Sequence, residues 1–172
     1  VICKIYTGPV NYELKNDSRS IILDFENNII VSHQSGVGGG GKLILNKYSN
    51  EGDTIWSLKY PEADSVGVSF FDYDLIIDEE NNIYVTGGNV DLNNNQNRHL
   101  VTIKISSEGE FIWTNYYNVI LSQAHGGVKM LIKDNALLVY GSYITMSGDS
   151  KYVLQELNLL NGNTEGVIEK SI

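Results

Sequence analysis

Three histidines, His33, His99 and His125, are the side chains of this sequence best suited to bind a metal or move a proton near neutral pH. A metal site usually draws ligands in pairs a few residues apart, whereas these lie 66 and 26 residues apart. Only the fold could unite them, so neither a metal nor a cofactor is expected. The acidic run Asp78 to Asn82 offers oxygen ligands at alternate positions, as a calcium loop does. It lacks the central glycine and the distal bidentate glutamate of such a loop, and a hairpin turn is expected. The stretch Ser35 to Gly41 holds five glycines and imitates a phosphate cradle. A cradle needs a helix N-terminus behind it, and here the apolar segment Lys42 to Leu45 follows, so a flexible loop is expected. The polar tip Asp91 to Asn97 could meet a cation but is expected simply to be hydrated. Trp56, Trp113, Tyr60, Tyr116 and Tyr117 could form a carbohydrate platform. No Ser/His/Asp order, paired carboxylate or cofactor fingerprint stands out.

What positions these residues is an internal repeat. The stretch Ile21 to His33 returns as Leu75 to Gly87 and again as Met130 to Gly141, and the last residues of the three fall 54 positions apart. Such a period means a repeat architecture. A second signature follows each copy: Lys47 precedes Gly52 and Trp56, and Lys104 precedes Gly109 and Trp113. Lys4, Gly8 and Tyr12 resemble it, while the last copy has Gly166 where the aromatic should stand. Because the tryptophans recur at one repeat position, they are expected to pack between sheets. The lysines are expected to lay their stems on a sheet with the ammonium in water.

Each full repeat holds four short segments rich in β-branched and aromatic residues, in the first copy 21–25, 28–32, 42–48 and 54–60. Tight Asn and Gly turns join the first to the second and the third to the fourth, so an antiparallel meander is expected. The second segment is apolar at successive residues, as in Ile83, Tyr84 and Val85, which marks a strand covered on both faces. No sustained helical period appears. The chain is expected to be all-β, built as β-propeller blades: a half blade at 1–14 and blades at 19–60, 75–117 and 128–172. Three and a half blades fall short of the four that close the smallest ring. A larger propeller, or a second copy or another chain, is therefore expected to cover the open sheet ends. The alternative is a compact three-sheet domain curled on itself.

The pattern Asp-x-x-x-Asn-Ile-Tyr-Val-Thr-Gly at Asp78 to Gly87, followed by Lys-x-x-x-x-Gly-x-x-x-Trp at Lys104 to Trp113, resembles the SBBP-type β-propeller repeat. The resemblance covers most of residues 21–117, fades in the third copy and departs at His33, where that family has glycine. It implies blade packing and a bacterial secreted or cell-surface setting.

Composition narrows the partners. A net charge of −9 lacks the clustered Lys and Arg that nucleic acid requires. No apolar run approaches the roughly 20 residues that span a bilayer, so no membrane insertion is expected. No signal peptide is read at the start of the sequence. The single cysteine, Cys3, forbids an intrachain disulfide and sits in an apolar run where an inert thiol is expected.

In an antiparallel meander the longer links share one end: 32–41, 87–99 and 142–150 between second and third segments, and 61–74 and 118–129 between repeats. Loops on a rigid scaffold are where binding residues concentrate. A binding site is therefore expected at that end, drawing on His33, Asp64, Asp91, Arg98, His99, His125 and Asp149, for a protein or glycan partner. A non-catalytic recognition or scaffold segment is the first functional expectation. A propeller enzyme, glycan hydrolase or lyase or quinoprotein-like, is the alternative; it would need Asp64, Asp91, His99, His125 and Asp149 to converge in a central funnel.

Overall fold

A computed structural model describes residues 17–35, 41–60, 68–91, 97–120, 122–145 and 147–171. These residues form twelve strands and no helix: β1 (Asp17–Leu23), β2 (Ile29–Ser35), β3 (Lys42–Tyr48), β4 (Thr54–Tyr60), β5 (Val68–Ile77), β6 (Ile83–Asp91), β7 (Asn97–Ile105), β8 (Phe111–Ile120), β9 (Ser122–Lys133), β10 (Ala136–Thr145), β11 (Ser150–Asn158) and β12 (Thr164–Ser171). The chain is all-β. Each group of four consecutive strands makes one antiparallel sheet in chain order. The expected half blade at 1–14, with Cys3, lies outside the described residues.

Local chemistry closes the meanders. In the β1–β2 turn the Asp24 carboxylate accepts from the backbone amides of Glu26 and Asn28, and Asn27 takes a φ of 64°. Asp78, Glu80, Asn82 and Asn81 repeat the turn between β5 and β6. The acidic run is a turn, as expected, in which Asp78 Oδ1 accepts from the backbone amides of Glu80 and Asn82.

Packing explains the two hydrophobic patterns. In β3 burial alternates, with Leu43, Leu45 and Lys47 turned to the core, because among the described residues the first sheet is covered on one face. In β6 the successive residues Ile83, Tyr84, Val85 and Thr86 are all buried, because the second sheet lies between the other two. Ile83 and Val85 join Ile30, Leu43 and Leu45 of the first sheet in one core, and Tyr84 and Leu100 join Leu137, Val153 and Leu157 of the third in another. Among the described residues, coverage on both faces thus holds for the middle sheet only. The first strands neighbour one another in turn, β1 beside β5 and β5 beside β9.

Several stretches expected as loops are strand. β8 and β9 occupy nearly all of 118–129, β5 begins at Val68, and β6 and β7 extend well into 87–99. Glycine and asparagine weaken the intrinsic preference for strand there, but an adjacent ladder overrides it, as where Gly126 pairs with Ser142. No helix long and apolar enough to cross a membrane occurs among the described residues.

Candidate functional site

The most ordered polar chemistry lies between the sheets. Lys47 on β3 is paired in register with Trp56 on β4, so both side chains leave the same face. Nζ of Lys47 and Nε1 of Trp56 donate to one acceptor, the Ser107 carbonyl in the β7–β8 turn, at 3.2 and 3.0 Å. The arrangement recurs one sheet later. Lys104 pairs with Trp113, and both donate to the Leu159 carbonyl in the β11–β12 turn, at 3.0 and 3.2 Å.

Each lysine also faces the aspartate of its own sheet's first turn, Asp24 at 3.0 Å from Lys47 and Asp78 at 3.7 Å from Lys104. The lysines are only 5% and 6% exposed, which corrects the expectation of ammonium groups in water. A buried ammonium requires such partners, and one carboxylate with one carbonyl supplies them. Burial pushes the Asp24 carboxyl up, but hydrogen bonds from Asn28 and Lys47 outweigh it and hold the group below the usual carboxylate range.

Each tryptophan lies over a turn glycine of the next sheet, Trp56 over Gly109 and Trp113 over Gly162, as the expectation of packing between sheets required. Both glycines have positive φ, 88° and 72°. Their lack of a Cβ serves the turn and the indole together. Side chains of one sheet thus clasp a turn of the next, always in the same direction along the chain.

Farther out, the Tyr60 and Tyr116 hydroxyls meet at 2.6 Å between the first two sheets. At the matching place in the next interface Tyr117 bonds Glu169, which Tyr143 also reaches at 3.2 Å. Burial, then these partners, push Tyr60 and Tyr117 well above the usual phenol range.

The residues expected to bind sit toward the β2–β3, β6–β7 and β10–β11 connections but are divided among the sheets. His33 is half-buried in β2 of the first sheet. In the second sheet Asp91 ends β6, and Arg98 and His99 open β7 opposite Val90 and Asn89, so these three share one hairpin end. The His99 ring stands edge-on to Tyr116 at 6.1 Å, with a buried Nδ1 that has no hydrogen-bond partner among the described residues. In the third sheet His125 pairs with Tyr143. Asp149 closes the β10–β11 turn, its amide donating to Thr145 Oγ1 and its carboxylate accepting from Ser147. Asp64 lies outside the described residues, as do 36–40 of the glycine run and 92–96 of the polar tip. Among the described residues no three His, Cys, Asp or Glu gather to hold a metal ion.

The opposite end carries a hollow of about 540 Å³ among the first turns of the sheets, lined by Phe25, Asp78, Glu80, Asp134 and Leu160. No described serine, threonine, cysteine or histidine lines it, and Asp78 is held by its own turn and by Tyr84. It offers shape, a group of carboxylates and the Lys104 ammonium.

Sequence reasoning missed the Asp24–Lys47 and Asp78–Lys104 pairs. The signal is present, since both partners recur at fixed repeat positions, but neither recurrence by itself points to the other. No protein-family model matches the chain, and no curated protein matches it.

Proposed function

We propose that this chain is a run of β-propeller blades forming a non-catalytic recognition or scaffold segment of a secreted or cell-surface bacterial protein. The observation that carries the reading is the use of buried charge. Asp24, Lys47 and Lys104, the buried charged residues among those described, all hold turns or join one sheet to the next. A stack so joined is rigid, and its strand ends are free to carry recognition residues. Consecutive four-stranded meanders, neighbouring first strands and a repeated interface between sheets are what radial repetition needs. Further blades, from a second copy or another chain, complete the open faces. The partner, a protein or a glycan, meets the end that carries Asp91, Arg98 and His99.

The test is binding of the purified chain to a panel of immobilised glycans and extracellular-matrix proteins, with the double replacement Arg98→Ala and His99→Ala set against Asn161→Ala at the other end. Binding lost in the first variant and kept in the second supports the reading. Binding to no member of the panel, or binding indifferent to Arg98 and His99, overturns it.

A further inference from the structure

The third sheet presents an open face at the register where the first two carry their clasp. Lys47 pairs with Trp56 and Lys104 with Trp113, but the corresponding pair in the third sheet is Glu156 and Gly166. Ile30, Tyr84 and Leu138 confirm the correspondence, each standing opposite the first member of its pair. Charge is therefore inverted at this position and the aromatic is absent. Beside Glu156 lies a hollow of about 490 Å³, lined by Leu138, Glu156, Asn158, Glu165 and a single cation, Lys133. The exposed Glu156 carboxylate forms no ion pair or hydrogen bond among the described residues. Beyond it the face carries exposed apolar side chains, Leu131, Tyr140, Ile144, Tyr152 and Ile168, with the Tyr140 and Tyr152 rings stacked at 5.6 Å and Lys170 in register with Tyr152.

We infer that this face docks a β-sheet of another protein segment, one presenting a Lys or Arg to Glu156 and an aromatic side chain to the hollow beside it. This is the internal interface with its polarity reversed, the cation and the aromatic now coming from the partner. The first sheet of a second copy does not fit. By the repeat, its β3–β4 turn would set the Asn50 carbonyl against the Glu156 carboxylate, acceptor against acceptor, with nothing to fill the hollow. A buried aromatic anchor beside a desolvated ion pair is a common energetic centre of such surfaces. The inference deepens the reading that further sheets complete the open faces, and rests on it for the third sheet alone.

The probe is a cyclic β-hairpin peptide bearing Trp and Lys on one face, titrated into the isotopically labelled full chain and followed by amide chemical shifts. Saturable shifts confined to β10, β11 and β12 are expected. They should weaken at least tenfold in Glu156→Lys and with a peptide carrying Glu for Lys; Glu156→Gln should fall between. Shifts outside these strands, no saturation, or indifference to Glu156 overturns the inference. So does concentration-dependent self-association of the unaltered chain that Glu156→Lys abolishes, because the occupant is then a second copy. These readouts are separate from the Arg98 and His99 end, so either reading can fail alone.

Discussion

The indole of Trp113 leaves no room for a side chain on Gly162: a Cβ there would fall 2.5 Å from Trp113 Cδ2. Gly162 also has a φ of 72°, so a methyl group meets both backbone strain and overpacking. Gly162→Ala should cost about 2 to 4 kcal/mol. Gly148 has the same need for positive φ but nothing within 4 Å, so Gly148→Ala isolates the backbone share at about 1 kcal/mol. Urea unfolding of the two variants checks the difference.

Trp113→Ala should destabilise the chain by about 3 to 5 kcal/mol, since it empties the space between two sheets. Trp113→His or Trp113→Phe separates the parts: Phe keeps most of the apolar contact and removes the bond to Leu159, so its bond loss alone should cost about 1 kcal/mol. A loss below ~1 kcal/mol for the alanine variant in equilibrium denaturation would refute the packing role.

Lys47→Met leaves the Asp24 carboxylate buried without its cation, and should cost about 3 to 5 kcal/mol. Adding Asp24→Asn should recover part of that loss, because the stranded charge is gone. A double-mutant cycle measures the coupling, and strict additivity would show that the pair is not coupled.

Asp24 also sets an acid limit. Its folded-state value is depressed, so its contribution is present above the unfolded value of about 3.9 and is lost as pH falls through the lower folded value. Thermal midpoints measured from pH 6 down to pH 2 should decline across that window, and the decline should be shallower in Asp24→Asn.

At the alkaline side the sign reverses. Burial and then the Asp78 contact raise Tyr84, and burial and then Tyr116 raise Tyr60. Their folded forms keep the proton, so their stabilisation is complete below the unfolded value of about 10 and falls as pH rises above it. Absorbance at the phenolate band should rise together with loss of the β circular dichroism signal. Early ionisation of all eleven tyrosines in the intact fold would contradict this.

The meander was legible because turn residues and strand residues alternate on a fixed period, and β3 and β4 occupy their expected spans of 42–48 and 54–60. Recurrence placed Trp56 and Trp113 between sheets without any view of a partner. Where β8, β9 and β10 run was not legible, because strands rich in Gly, Asn and Ser depend on neighbours that composition does not reveal. The burial of Lys47 and Lys104 was hidden for a related reason: their acceptors are backbone carbonyls, which any residue can supply. The candidate site was the least legible part. Its residues come from three sheets, and no local spacing ties His33 to His99 or His125.

The one-way clasp has a consequence for biosynthesis. Lys47 and Trp56 leave the ribosome 60 and 51 residues before the carbonyl they bind. At translation rates of about 5 to 20 residues per second the nascent chain carries a lysine still short of its carbonyl acceptor and a bare indole for several seconds. Each meander therefore waits, half-finished, for the one made after it. That interval is when a holding chaperone would engage this chain, and slowing translation between Tyr60 and Ser107 would lengthen it.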